Sequence, residues 1–417
     1  MHSKFAGGQT SCKLAHKLGN FPTPQINMLE TWSGESVKSD SFSAGQEACS
    51  SALSRVGGAV NLIVVFATVN YGQEEVLKGV KSAAKDALVV GCSGLRCIFN
   101  NHGFDKGVVA MAIAGDDIIF KSAVGVNAQK DSYEAGHSLA KSLVDEATAI
   151  LMIFMDAVGV NGSAVVRGIL DGSRKNLPII GGMASDASTF TKTYEYHKGE
   201  VLSDTVVGVA MSGKVSFGIG VQHGWQSIGL PVTVTKSEGA VIKEINGQPA
   251  IKFFEEYFGE EEAKQLHKPL SRICYVYPLG MSVEGSDELL IRIAFVANEK
   301  GELACAGEIP QGSQIRLMLG DYEKAIEAAR EAAQKAKEQL KGAKPKAAFV
   351  FNCAARYMLL GKRADEEIQA IQSVLGGEVP LIGFYTYGEQ APLRGDVGPK
   401  CSSLFHNETM TMILLGE

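Results

Sequence analysis

Residues able to do chemistry gather near the C-terminus. Asn352, Cys353 and Arg356 follow the apolar run Ala347–Phe351, and Tyr385, Tyr387 and Glu389 follow a second apolar run, Val379–Phe384. A guanidinium such as that of Arg356 forks onto a carboxylate through parallel hydrogen bonds, and a carboxylate such as Glu389 takes an ammonium group. Tyr385 and Tyr387 add apolar walls with polar tips, and Asn352 adds a hydrogen bond. This set would receive a small amino-acid-like ligand. The same residues also suit an internal Arg356–Glu389 bridge, with the tyrosines packed under a loop and Asn352 capping a turn. Cys353, Glu389 and His406 further have the composition of a thiol nucleophile, a base and an orienting carboxylate, as in an amidase or thioesterase.

Two other groups lie upstream. Cys92, Cys97 and His102 have ligand chemistry, but their spacing fits no standard zinc pattern and lacks a fourth ligand, which leaves buried thiols and a loop histidine. Among the eight histidines, His223 (in Gln222-His223-Gly224-Trp225) and His102 stand beside apolar or aromatic residues and could serve as axial ligands to haem. No C-x-x-C-H attachment site and no phosphate-cradling glycine loop accompany a strand, so nucleotide binding is not expected.

The elements that must position these residues follow from periodicity. Short unbroken apolar runs rich in Val, Ile and Phe predict strands covered on both faces. Two such runs joined by a helix predict parallel neighbours whose carboxyl ends share one sheet edge, where α/β sheets bind ligands. The pattern recurs. Leu62–Phe66, a helix over Gln73–Ala84, Ala87–Val90 and Val108–Ala114 form one copy. Ala149–Met155, a helix over Ser163–Asp171, Leu177–Ile180 and Val206–Met211 form another. The C-terminal stretch is a third, ending in Met410–Leu415. Each copy reads strand, helix, strand ending in glycine and small residues, then a further strand. Between the copies, Gly218–Gln222, Val232–Thr235 and Ala240–Ile245 alternate apolar and polar residues, the last two joined by a hairpin-like junction at Lys236–Gly239, and Pro249 opens a helix. Ile273–Tyr277, Leu289–Ala297 and Ile315–Leu319 are further predicted strands, and Asp321–Lys341 a long helix, acidic at its start and basic at its end.

Composition narrows the class. The 417 residues are 45% hydrophobic and 21% charged, enough for two cores, and a net charge of −6 with scattered Lys and Arg gives no case for nucleic acid or an anionic membrane as partner. No apolar run nears the ~18 residues of a membrane span, and the first residues lack the apolar core of a secretion signal. Eight cysteines without a C-x-x-C pair favour reduced, buried thiols and a cytoplasmic protein.

At this level the chain resembles the FIST family, named for F-box and intracellular signal-transduction proteins. The resemblance rests on GCSG at 91–94, VTVTKSEGAVIKEINGQPAIKFFEEYFG, GEIPQGSQIRLMLGD, FNCAAR and GFYTYGEQAP, whose order and spacing span roughly residues 36–417. It departs where LRCIFNNHGF stands in place of small and acidic residues. Gly, Ser, Pro and Lys mixed without a period near the start predict a leader over 1–35, and the resemblance implies a FIST N-like domain over 36–246 and a FIST C-like domain over 247–417. It also implies a prokaryotic sensory module for small molecules such as amino acids. Some members carry haem, sense nitric oxide and act on a histidine kinase. The expected architecture is therefore α/β, with two domains of mixed sheets flanked by helices and built from duplicated β-α-β-β units. The expected role is a sensor that binds a small ligand without a cofactor, or with haem as the alternative, and acts through a separate signalling partner.

Overall fold

The computed structural model of the chain describes residues 29–398 and 401–417. Three β-α-β-β repeats build its main body, each beginning with an extra strand and helix. The first comprises β1 (Glu30–Ser36), α1 (Ser41–Leu53), β2 (Val60–Thr68), α2 (Gln73–Ala84), β3 (Leu88–Gly94), the hairpin β4 (Cys97–Phe99) and β5 (His102–Phe104), and β6 (Val108–Ala114). The second repeats that order in β7 (Ile118–Val126), α3 (Ser132–Leu143), β8 (Thr148–Met155), α4 (Gly162–Ser173), β9 (Ile179–Met183), the hairpin β10 (Glu195–His197) and β11 (Glu200–Leu202), and β12 (Thr205–Gly213). The third opens with β13 (Ser216–Gln222). It resumes after residue 321 with α5 (Tyr322–Gln339), β14 (Pro345–Cys353), α6 (Ala354–Leu360), α7 (Ala364–Leu375), β15 (Leu381–Thr386), the hairpin β16 (Glu389–Pro392) and β17 (Ser403–His406), and β18 (Met410–Gly416).

Each repeat makes one six-stranded mixed sheet but lends its hairpin to a neighbour. The orders are β1-β6-β2-β3-β10-β11, β7-β12-β8-β9-β16-β17 and β13-β18-β14-β15-β4-β5. The first repeat thus completes the third sheet, the second completes the first, and the third completes the second. As predicted, β2 and β3, β8 and β9, and β14 and β15 pair in parallel. The intervening segment forms an antiparallel nine-stranded sheet with short helices and its own core around Phe254, Leu279, Ile293 and Leu317.

Strand pleating explains why the runs are apolar without alternation. Along β2, Leu62, Val64 and Phe66 face a core shared with the other two sheets, while Ile63 and Val65 face α1 and α2. The second and third sheets divide in the same way, turning their other faces to α3 and α4, and to α5 and α7. On the shared side Phe66, Phe154 and Phe351, which hold equivalent positions in the repeats, form a triangle with ring centroids 5.6 to 6.3 Å apart. Such tilted and edge-on pairs are favoured by the ring quadrupoles, beyond the ~1.5–3 kcal/mol that burial of each ring supplies.

Four details differ from the sequence expectation. Pro249 does not open a helix but ends the two-residue strand Gln248–Pro249, and the helix begins at Ile251. Of the predicted leader over 1–35, residues 1–28 lie outside the described residues, while Glu30–Ser36 is a strand paired along its length with β6. Ile273–Tyr277 is not a strand but lies in the one-turn helix Arg272–Val276, which buries the same Ile273, Cys274 and Val276; five apolar residues do not discriminate the two periods. Leu289–Ala297 is interrupted at Ile293 into two strands.

The second parallel strand of each repeat carries a glycine directly opposite a carbonyl. An added Cβ would lie 1.8 Å from the Val65 oxygen at Gly91 and 1.9 Å from the Ile153 oxygen at Gly181, and both residues have positive φ (149° and 155°). Gly181→Ala should therefore lower the unfolding free energy by about 3 kcal/mol or more in urea denaturation. Gly377→Ala, where nothing lies within 4 Å, should stay near wild type.

Candidate functional site

The structure parts the predicted receptor residues into a sealed polar knot and an open cavity. Arg356, on α6, is fully buried. Its Nε donates to Glu367 Oε1 at 2.7 Å, and Nη2 donates to the same oxygen and to the Ala325 carbonyl. Nη1 donates to the carbonyls of His223 and Glu408. The guanidinium also lies 5.4 Å from the centroid of the Trp225 ring. Every donor of the fork is consumed within the chain, so none is left for a ligand carboxylate. Asn352 donates to the second oxygen of Glu367 at 2.6 Å. Neither the expected ligand clamp nor an Arg356–Glu389 bridge forms, because the counter-charge is Glu367.

Glu367 was missed, although the sequence carries its signal. Ala364, Glu367, Ile368, Ile371 and Leu375 fall on one helical stripe and are all buried, and a carboxylate on such a stripe calls for a cation beneath it.

Glu389 is buried beside Cys353, close enough for each to act on the other's titration. Glu389 Oε2 accepts from the Thr409 N–H at 3.2 Å, and Oε1 has no partner. Burial raises Glu389 well above the ordinary carboxyl range, more than the Thr409 N–H, the Cys353 thiol and Arg356 lower it. Burial likewise raises the Cys353 thiol, aided by the charges of Glu389 and Glu408, and the backbone N–H groups of Ala355 and Glu408 oppose the rise. Tyr385 is buried with its hydroxyl unpartnered. His406 stands opposite Glu389 across the hairpin, but its Nε2–H donates to the Ala391 carbonyl, and burial depresses it to about 3. The thiol's polar neighbour is thus a carboxyl, and the imidazole is engaged elsewhere.

Cys353 and Tyr387 do open onto a cavity of about 330 Å³ between the second repeat, the third repeat and the inserted module. The loop after β8 and the start of α4 supply Val160 and Asn161. The inserted module supplies Ile293, Phe295 and Cys305, and α6 supplies Met358. No residue lining it carries a charge. A short loop leans over it: Phe190 stacks on Tyr387 at 4.3 Å and meets Phe295 edge-on at 5.2 Å. Ser188 and Phe190 hold positive φ (65° and 52°), a strained conformation for both. Asp186 imposes it, accepting from the Tyr387 hydroxyl at 2.6 Å, Thr189 Oγ1 at 2.7 Å, and the N–H groups of Phe190 and Thr191 at 3.1 and 2.9 Å. These bonds hold its carboxyl far below the usual range, against the opposing effect of burial.

The haem candidates lie at opposite edges of the third sheet, His223 just beyond β13 and His102 on β5. His223 lines a void of about 20 Å³, and burial together with the Arg356 charge depresses it to about 4. His102 packs among Phe99, Phe104 and Glu35 on a half-buried hairpin. Neither setting fits a porphyrin. Cys92 and Cys97 are buried, and among the described residues no group of three or more His, Cys, Asp or Glu is placed to hold a metal. No helix of the described residues is long and apolar enough to cross a membrane.

Glu367→Ala would strand a buried guanidinium and should cost about 3–5 kcal/mol, whereas the double variant Arg356→Met/Glu367→Leu should recover most of that loss in urea unfolding. Asp186→Asn should speed amide exchange over residues 187–192 at neutral pH. In the wild type the carboxylate's contribution is present above its ordinary value of 3.8 and is lost as pH falls toward its lower folded value, so the two proteins should converge in strong acid.

Comparison with known proteins agrees with the sequence resemblance. The FIST N domain matches residues 61–248 and the FIST C domain matches residues 250–392. An uncharacterized protein of Methanocaldococcus jannaschii is 32% identical over 182 residues, covering 41% of this chain and 35% of that protein. One of Mycobacterium tuberculosis is 28% identical over 221 residues, covering 52% of this chain and 57% of its own length. The chain thus spans a third to somewhat over half of these relatives. Among solved structures, a cyanuric acid hydrolase aligns over 94% of this chain and 100% of its own with a TM-score of 0.39 and 7% identity. Thermotoga maritima PurL aligns over 93% and 71% with a TM-score of 0.23 and 9% identity. With both domain matches lying end to end over most of its length, the chain belongs to the FIST family, whose domains are sensory signal-transduction domains.

Proposed function

We propose that this protein senses a small uncharged molecule held in the cavity beside Cys353 and Tyr387, and that it relays binding to a separate signalling protein in the cytoplasm. The observation that carries this is the cavity itself: it is enclosed by three parts of the fold and lined without a charge. A ligand there would touch the second repeat, the third repeat and the inserted module at once, so its binding energy would depend on how those parts sit together. The lining is largely apolar, with Asn161, Tyr387 and two thiols as the polar features, a composition suited to a flat apolar or aromatic molecule. An amino acid would find no side-chain counter-charge for either of its ends, since Arg356 is committed to Glu367. The family resemblance offers a histidine kinase as the partner class.

A thermal-shift screen tests this with indole, benzyl alcohol, free amino acids and haemin. The uncharged aromatics should stabilise the protein, by about 2.7 kcal/mol at a ligand concentration a hundredfold above Kd. Ala306→Phe, which fills the cavity from the inserted module, should abolish that shift while leaving far-UV circular dichroism unchanged. Stabilisation that survives the substitution, or that only the amino acids or haemin produce, overturns the assignment.

A further inference from the structure

The three repeats supply an internal comparison that singles out one position. Val65 pairs with Gly91, Ile153 with Gly181 and Val350 with Gly383, which aligns the first parallel strands residue by residue. On that alignment Thr68, Asp156 and Cys353 are equivalent, each at the carboxyl end of its strand. The residues opening the three exchanged hairpins, Cys97, Glu195 and Glu389, are equivalent as well.

In two repeats the strand-end residue is a structural tie. Thr68 Oγ1 donates to Asn70 Oδ1 at 2.7 Å and accepts from the Gly107 N–H at 3.1 Å. Asp156 accepts from the Thr193 hydroxyl at 2.5 Å and from the N–H groups of Val158 and Asp204 at 2.9 and 2.7 Å. Neither lines the cavity. In the third repeat the tie is replaced by a thiol that lines the cavity and has the buried Glu389 carboxyl as its neighbour. Glu389 is fully buried and keeps one oxygen without a partner. A second thiol, Cys305, lines the same cavity but points its sulfur at the Leu303 carbonyl of its own strand, and the charge that acts on it is the Arg292 guanidinium.

We propose that Cys353 is a covalent docking point for a small uncharged α,β-unsaturated carbonyl compound, with Glu389 handling its proton. This rests on the cavity being the ligand site. The sulfur forms a bond to the β carbon as the carbon–carbon π bond breaks, and its electron pair moves toward the carbonyl. The thiol proton passes to Glu389, and a proton returns from that carboxyl to the α carbon. The sum is an addition of S–H across the double bond, with no oxidant or reductant consumed. Burial and the charges of Glu389 and Glu408 hold the sulfur as the thiol, and the backbone N–H groups of Ala355 and Glu408 offset this only in part, so the proton must leave as the carbon–sulfur bond forms.

N-ethylmaleimide is an uncharged member of this class and serves as the probe, in a Cys12→Ser background because Cys12 lies outside the described residues. The seven described cysteines are all buried, so any preference among them must come from the cavity and its neighbours. Timed labelling of the native protein followed by peptide mapping should place the first adduct on Cys353, at least about tenfold faster than on Cys305. Glu389→Gln should slow the Cys353 adduct by at least about tenfold and leave the Cys305 rate unchanged, a difference that loosened packing would not produce. Ala306→Phe should suppress both adducts. Labelling of Cys305 ahead of Cys353, or a Cys353 rate indifferent to Glu389→Gln, overturns the proposal. If Cys353 stays unlabelled while aromatic ligands still stabilise the wild type and not Ala306→Phe, the covalent step falls and the sensing cavity stands; if nothing binds by either measure, both fall.

Discussion

Everything in the main body is built around three phenylalanines that meet where the sheets face one another. Phe66, Phe154 and Phe351 are one residue, used once per repeat, and their contact is the point at which the inner faces of the three sheets become a common core. A sheet buried on one face by its own helices still exposes the other, and here that second face finds cover only in the two neighbouring repeats. Exchange of the hairpins enforces the same dependence through the backbone. Each sheet is completed by strands that belong to another repeat, so the edge that would otherwise be left open is paired by its neighbour. The seam is tied where the chain crosses. Ser93 Oγ donates to the Ser185 carbonyl at 3.0 Å, Ser185 Oγ donates to the Tyr385 carbonyl at 2.5 Å, and Thr386 Oγ1 donates to the Met183 carbonyl at 2.7 Å.

A closed set of three similar repeats leaves little room for a ligand on the shared axis, which is filled with aromatic rings. Function needs a departure from the symmetry, and the inserted module between β13 and α5 supplies it. Its core includes Cys353 and Ala355, so it packs directly on the third repeat's strand end and on the helix that follows. The equivalent residues of the first and second repeats, Thr68 and Asp156, are instead hydrogen-bonded into the loops of their own repeats. The cavity thus sits where the insertion meets the ring, with Cys353 at the position that the other repeats use for a structural tie.

Much of this was legible in the residues. The apolar runs, their glycine-terminated ends and the helix between them mark all three repeats, and the helix predicted over Gln73–Ala84 forms with those bounds. The exchanged hairpins were not legible, because strands of three or four residues show no period, and nothing local tells Cys97–Phe99 that it completes a sheet nearly 300 residues away. The polar residues at the strand ends were found by type, but their partners were not. Burial obliges Arg356 to have a counter-charge, and two glutamates, Glu367 and Glu389, stand within reach along the chain. Helical phase points to Glu367 only once α7 is known to lie over β14 and α6. The residues over the cavity from the inserted module and the 187–192 loop belong to segments far apart in sequence, and only the fold brings them together.

The sealed ion pair and the uncharged cavity are two consequences of one arrangement. Arg356 leaves α6 on the side facing α7, one turn after Cys353, and its hydrogen bonds to Glu367, Ala325, His223 and Glu408 pin the start of that helix to four separate segments. Because the guanidinium is spent there, the opposite side of the same turn presents only Cys353, Ala354, Ala355 and Met358 to the cavity. A buried pair of this kind adds little net stability compared with apolar residues of similar volume, but removal of either partner is costly. Its contribution is therefore positional. It fixes the thiol at the mouth of α6 and keeps formal charge out of the space in front of it, which is what a site selecting small uncharged molecules requires.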